Sequence, residues 1–545
     1  MASTVIVGGG IIGIATAYYL SEHQPGSSIH LVDSSATLFA SASGFAGGFL
    51  ARDWFHEDLA SLGPLSFDEH EKLAKQFDGR EKWLYAKSVT VNYELPRRRP
   101  KGSTGQDWLR EGGSRADVIE ERGEVKDRNS PPWLRRIKGD ALSLVDNGEG
   151  TAVLDPLKLC QFLLERCRAA GVRIHNPAVV LNVGADCHDE LSYVRIGYTD
   201  CSSETHIPAT RILVCTGAWT PSVLESMFPG SSINIPVVPL AGHSLVVRNP
   251  TDIGETYHSV YTSMDDFSPE IYARPNGHIW LGGVNAYLRL PPLATSAKPM
   301  DAPLEKLKNL AKQIIRTDGD ELEVLRTGLC FRPVSERGTP YITRIEDVDL
   351  RQGYRTRKGS DGGVYVATGH GPWGISLSLG TAKVMAEMMQ GRELSADISK
   401  GRMPPPFVGT KSTGTMSSQV IRNKLWHVLL ETKIGGVQLS PSDGLDGQRL
   451  VEVSILRRYL RPLLLVKSDR QFEASISQRS RYLCKRDEVS PGKIHLYLKF
   501  HLVREFNQLP HLEVHMEFHG GGATMSILHH LPTVERTFFE VSGFF

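Results

Sequence analysis

Apolar residues along this chain come in short runs punctuated by glycine, and the period of the runs changes from segment to segment. Val5-Ile6-Val7 is apolar without alternation, the pattern of a parallel strand covered on both faces. Gly8-x-Gly10-x-x-Gly13 follows at once. Ile14 to Leu20 then mix small and apolar residues as a packed helix does, and "IHLVD" reads as a second strand ending at Asp33. Parts of this unit recur. "ATRILVCTGAWTPSV" (209–223) predicts a buried strand running into Thr216-Gly217-Ala218-Trp219. "GGVYVATGHGPWGISLSLGTAKVMAEMMQG" (362–391) predicts a strand over Val364 to Ala367, a glycine-rich turn, and a helix closed by Gly391. In residues 148–175, Leu159, Phe162, Leu163 and Cys167 keep a helical apolar period, which makes Cys160 and Cys167 core residues. "PEIYARPNGHIWLGGV" (269–284) predicts a hairpin turning at Pro275-Asn276-Gly277. In "TGLCFRPVSERGTPYI" (327–342), Cys330 and Arg332 lie two residues apart, so on a strand they share one face.

Composition narrows the class. The 545 residues suit several domains or one large composite one, and 40% hydrophobic residues suffice for a sizeable core. Lys and Arg number 62 against 61 Asp and Glu, a formal net charge of +1, so nothing electrostatic favours nucleic acid or an anionic membrane as partner. The seven cysteines are irregularly spaced and form no C-x-x-C pair, which suggests neither a zinc site nor a disulfide framework. A reducing, cytoplasmic compartment is expected. The first residues read as strand and turn rather than a secretion signal, the final "VSGFF" is not a peroxisomal address, and no run is apolar enough for an integral membrane segment.

The first unit carries a dinucleotide-binding chemistry. Gly8 makes the tight turn, Gly10 lets backbone N–H groups of Gly10, Ile11 and Ile12 approach a pyrophosphate, and Gly13 lets the helix lie on the strand. Asp33 stands about 20 residues on, where an acid accepts from a ribose hydroxyl pair and repels a 2′-phosphate, with Ser34 beside it. Three later segments favour FAD over NAD. "FASASGFAGGFLARDW" (39–54) supplies Ser41, Ser43, Gly44, Gly47 and Gly48, small enough to pass close to a pyrophosphate or an isoalloxazine. The second supplies Thr216, Gly217 and Trp219. The third is the turn holding Gly369, His370, Gly371, Trp373, Gly374 and Ile375 before a helix, whose N-terminal end favours the negative charge of a reduced flavin. His370 reads as a turn residue rather than a base. No G-x-S-x-G elbow and no H-E-x-x-H or clustered metal ligands occur, so no metal is expected.

These elements resemble the D-amino-acid oxidase family of FAD enzymes, most closely its glycine oxidase and sarcosine oxidase branches, over roughly residues 4–400 and weakest between 95 and 145. The resemblance implies an α/β fold: a discontinuous Rossmann-like FAD-binding domain with an α+β substrate domain on an antiparallel sheet. The expected division is 1–90, 148–223 and 325–402 for the FAD-binding domain, 91–147 for a polar insertion and substrate-domain segment, and 224–324 for the substrate domain. "RPVSERGTPYI" is similar to the glycine oxidase segment whose Arg binds the substrate carboxylate, and Arg332 occupies that place. Cys330 stands where the sarcosine oxidase branch links covalently to flavin; a buried core thiol is the alternative. Tyr272 matches a glycine oxidase tyrosine that lines the substrate pocket, and Arg274, on the same strand face, competes with Arg332 as anion clamp. Trp280 lies near the place of a sarcosine oxidase lysine that promotes the oxygen reaction. The Asp-Pro of "LDPLKL" resembles a helix start, and a strand near Val180 is expected to give backbone bonds to adenine.

The implied activity is oxidation of the C–N bond of a small amine or amino acid by hydride transfer to flavin N5, followed by imine hydrolysis and reoxidation by oxygen. The other reading is a flavin-binding protein of this fold with a regulatory or interaction role and little turnover. Residues 403–545 begin with a linker-like stretch to 419 and form an extension to which the sequence assigns no function.

Overall fold

In the computed structural model, the described residues are 2–95, 115–118, 130–251, 254–264, 267–317, 321–350, 354–399 and three strands beyond residue 493. The chain divides into two compact units, Met1–Val408 and Gly409–Phe545.

The apolar runs bounded by glycine become the centre of a sheet in the first unit. Six strands lie in the order Tyr341–Ile345, Gly363–Thr368, Arg211–Val214, Thr4–Val7, Ile29–Val32, Arg173–His175. All neighbours are parallel except Tyr341–Ile345, which runs antiparallel to Gly363–Thr368. Thr4–Val7, Ile29–Val32 and Arg211–Val214 are buried at every position, which is why they do not alternate. On one face, helix Ile11–Ser21 packs between helices Ser378–Gln390 and Pro156–Ala169. Asp155 caps the last of these by accepting from the Lys158 N–H at 3.2 Å, and Pro156 opens it, as the Asp-Pro pair predicts. On the other face lies a three-stranded antiparallel sheet, Leu191–Tyr198 between Glu204–Pro208 and Ala178–Ala185.

The second large layer is a sheet in the order Val324–Ser335, Val237–Arg248, His278–Ala286, Glu270–Ala273, Tyr257–Thr262, Ala86–Glu94, Thr151–Val153, Phe49–Ala51, with Ala141–Asp146 also paired to Ala86–Glu94. It is antiparallel apart from the parallel contact between Tyr257–Thr262 and Ala86–Glu94. Helix Asp301–Ile314 covers it with Leu307, Leu310, Ala311 and Ile314, one helical stripe.

Within 91–147, the described residues include parts of the large sheet and its core. Ala141–Asp146 is a strand of the large sheet, Trp133 and Leu134 are core, and Arg115 is buried. The segment 39–54 forms a short helix, Ala42–Phe45, and a strand, Phe49–Ala51. Residues 96–114 and 119–129 of the insertion and the linker-like stretch 403–419 lie outside the described residues. In the second unit, Ile494–Phe500, Leu512–His519 and Gly522–His529 form an antiparallel sheet.

Candidate functional site: a dinucleotide cavity between the two sheets

The glycines of the first turn are required by contact. Gly8 has φ +111°, and a Cβ there would stand 2.7 Å from the Cys215 carbonyl oxygen. A Cβ on Gly13 would stand 2.0 Å from the Gly8 carbonyl oxygen, so only glycine lets the helix seat on the strand. Helix Ile11–Ser21 starts with Gly10 as its N-cap and no capping side chain within it. Instead Ser43, across the chain, accepts from the Ile11 N–H at 2.9 Å. Asp33 follows its strand and receives the Gly9 N–H at 2.7 Å and the Ser35 N–H at 2.9 Å. Burial raises its pKa above the ordinary carboxylate value despite these bonds.

These residues open one continuous cavity of about 440 Å³ that runs from the 8–13 turn to the 371–375 turn. Gly8, Gly10, Ile11, Ile12, Asp33 and Ser34 line one end, with Val180 beside them. Ser41, Ser43, Gly47 and Gly48 line the middle, and Thr216, Gly217 and Trp219 form another wall. His370, Gly371, Gly374 and Ile375 close the far end, with Cys330, Arg332 and Tyr272. Gly13, Gly44, Gly369 and Trp373 do not line it. They shape it from behind: a Cβ on Gly44 would meet the Phe39 carbonyl oxygen at 2.3 Å, and Gly369 turns the chain at φ +83°. The Trp373 ring packs edge-on against Phe55 at 5.0 Å.

Cys330 is paired across the sheet with Gly242, the residue the Arg332 guanidinium lies over, so the two share a face; both line the cavity, as Phe331 between them also does. Burial raises the Cys330 thiol pKa, so it rests as the protonated thiol. Arg332 donates through Nη1 to Asn285 Oδ1 at 2.7 Å. Its guanidinium lies so close over Gly242 that a Cβ there would stand 2.2 Å from Nη1. The neighbouring strand therefore makes room for this arginine by having no side chain.

The other two candidates have partners of their own. Arg274 does not line the cavity. It pairs with Asp155 at 3.0 Å and donates to the Gly47 carbonyl at 2.9 Å, so it braces the 39–48 segment. Tyr272 is only 1% exposed, its ring stacked between Phe49 at 5.4 Å and Trp280 at 5.3 Å. Its hydroxyl donates to Glu270 at 2.8 Å and accepts from Arg115 at 2.6 Å. Trp280 donates to the Phe45 carbonyl at 3.2 Å. His370 bonds Thr381 at 3.1 Å, and burial lowers its pKa to about 4, so it is neutral. The turn itself is tied down by helix Leu62–Phe77: His70 meets the Ile375 carbonyl at 3.0 Å and Ser66 donates to the Ser376 carbonyl at 2.7 Å.

Sequence reasoning missed Arg115 and Glu270. Arg115 lines the cavity, chelates Glu270 at 2.5 and 2.6 Å, donates to the Pro372 carbonyl at 3.2 Å and lies 4.5 Å from the Trp373 ring centre. Burial opposes its charge, but the Glu270 carboxylate more than offsets this and keeps it cationic. No local period marks Arg115; only the position of Glu270, two before Tyr272 on one strand face, carried a signal.

A glycine-cradled turn with a ribose acid, continuous with a second glycine-rich turn under an antiparallel sheet, defines a dinucleotide-dependent oxidoreductase. The cavity's reach between the two turns, and the buried Asp33 at one end, fit FAD. The DAO family profile, described as FAD dependent oxidoreductase, matches residues 3–388, and the chain belongs to that family. It is therefore an FAD-dependent oxidoreductase. It is 28% identical over 418 residues to "Putative oxidoreductase C1F5.03c" of Schizosaccharomyces pombe, covering 72% of this chain and 96% of that one. Among solved structures it is similar to glycine oxidase from Geobacillus kaustophilus, with a TM-score of 0.56 at 18% identity over 75% of this chain and 99% of that one. It is also similar to L-proline dehydrogenase from P. horikoshii, with a TM-score of 0.56 at 15% identity over 74% and 96%. Among the described residues no helix is long and apolar enough to cross a membrane, and no cluster of metal ligands occurs.

Proposed function

We propose that this enzyme oxidises the C–N bond of a small amine or amino acid whose carboxylate is held by Arg332, with Cys330, Arg332 and the 371–375 turn framing the reacting end of the cavity. FAD, when bound, supplies the hydride acceptor. The chain's own part is position. Arg332 offers a planar fork that matches a carboxylate and stays charged when partly buried. Asn285 fixes its orientation, and Gly242 leaves the space it fills. The stacked wall of Phe49, Tyr272 and Trp280 keeps the site dry and shaped. The neutral, buried His370 is held by Thr381 and is no base, which suits a substrate that enters as the free amine.

The observation that carries this reading is Arg332 in the cavity wall over a glycine. It is tested by mixing the purified, yellow protein anaerobically with glycine, sarcosine, proline and simple amines while following the flavin band near the visible. Bleaching by at least one amino acid, lost in Arg332→Met, is expected. A flavin that none of them bleaches would shift the reading to a flavin-binding protein with little turnover. Admitting air after bleaching tests oxygen as acceptor: the band returns with hydrogen peroxide if it is. Acid denaturation separates the two roles of Cys330. Colour in the supernatant means a core thiol, and colour in the pellet means a covalent bond.

A further inference from the structure

The cavity is lined by two guanidinium groups, Arg332 from strand Val324–Ser335 and Arg115 from the short helix Arg115–Val118. Two arginines in a substrate cavity ordinarily make two anion seats. Here one seat is filled from within. Glu270 Oε1 accepts from Arg115 Nε at 2.5 Å and Oε2 from Arg115 Nη2 at 2.6 Å, a fork-on-fork pair. Both side chains are buried, at 5% and 4% exposure. Tyr272 closes the pair by donating to Glu270, and the Tyr261 hydroxyl lies 3.0 Å from that of Tyr272. Arg115 also reaches the Pro372 carbonyl, so the pair joins the substrate sheet to the 371–375 turn at a fixed place. Desolvating two charges is costly, and such a pair is weak evidence for stability alone. Its placement in the cavity wall gives it a use in selection.

We propose that Glu270 is a built-in carboxylate that occupies the Arg115 seat and restricts the cavity to substrates bearing a single carboxylate, excluding acidic amino acids and other dicarboxylates. The inference rests on Arg332 as the carboxylate anchor. A dicarboxylate anchored there would bring its second anion toward a guanidinium already neutralised and toward Glu270 itself, at the cost of like-charge repulsion in a dry site.

The probes are acetate and malonate, titrated into the FAD-loaded full chain while following the visible flavin band and the thermal midpoint. The wild type is expected to bind malonate no more tightly than acetate. In Glu270→Gln, which keeps shape and removes the charge, malonate is expected to tighten relative to acetate by at least about tenfold, the scale of one charge-assisted pair. Malonate should also raise the thermal midpoint of that variant more than acetate does. Adding Arg115→Met to Glu270→Gln should return the malonate-to-acetate ratio to the wild-type value. Wild type preferring malonate, no gain in Glu270→Gln, or a gain that survives Arg115→Met each overturns the proposal. Should Glu270→Gln not fold, the double variant carries the test: a fall in malonate relative to acetate would mean that Arg115 already seats a second carboxylate, which also overturns it. No response to either anion in any folded variant would overturn the Arg332 reading itself, whereas a response to acetate without the malonate gain overturns only this one.

Discussion

Two buried or half-buried arginines near one cavity differ in what they are packed against. Arg332 donates to Asn285, a neutral amide that fixes the orientation of its fork. Arg332→Met is expected to weaken acetate binding by about 10- to 100-fold, the loss of a charge-assisted hydrogen-bonded contact, with Arg332→Lys in between. Spectral titration of the flavin band reads this directly, and unchanged acetate affinity would remove Arg332 from the site. Arg274 faces Asp155 and the Gly47 carbonyl. Arg274→Met leaves Asp155 without its cation and should cost about 3–5 kcal/mol of stability, read as a lower denaturant midpoint. Its acetate affinity, measured below that midpoint, should stay close to wild type, because the residue braces the wall without lining it.

Elements here are placed by contacts too close for side chains. Helix Ile11–Ser21 lies against the Thr4–Val7 strand end at Gly13, where a Cβ would come within 2.0 Å of the Gly8 carbonyl oxygen. Gly13→Ala must therefore lift the first helical turn off the strand. It is expected to lose most bound flavin, measured as the visible-to-280 nm absorbance ratio, and to lower the unfolding midpoint. An unaltered ratio would show that the helix end tolerates displacement. The 371–375 turn depends in the same way on helix Leu62–Phe77, through Ser66 and His70 rather than through its own sequence.

Across the molecule, buried histidines set a pH limit. Burial lowers the pKa of both His70 and His370 from 6.5 to about 4. Both are thus neutral in the fold, while the unfolded chain takes up their protons below about 6.5. Unfolding then becomes easier as pH falls from about 6.5 to about 4, and the contribution present above that window is lost within it, on the order of a few kcal/mol per histidine. Thermal midpoints at pH 7, 6 and 5 should fall steadily. His370→Asn should flatten the slope, and a midpoint constant over that range would contradict it.

The nucleotide half of this protein was legible in its sequence because its information is local. A strand, a turn of three spaced glycines, a helix and a terminal acid lie within 33 residues, and Gly8 is needed by its own φ and Gly13 by the Gly8 carbonyl five residues away. Strand alternation likewise placed Cys330 and Arg332 on one face. The partners of the other arginines and of Tyr272 were not legible. Arg274 answers to Asp155, 119 residues away, and Arg115 to Glu270, 155 residues away. What a guanidinium can do depends on the group packed against it, and only the closing of the two sheets over one cavity brings that group to it.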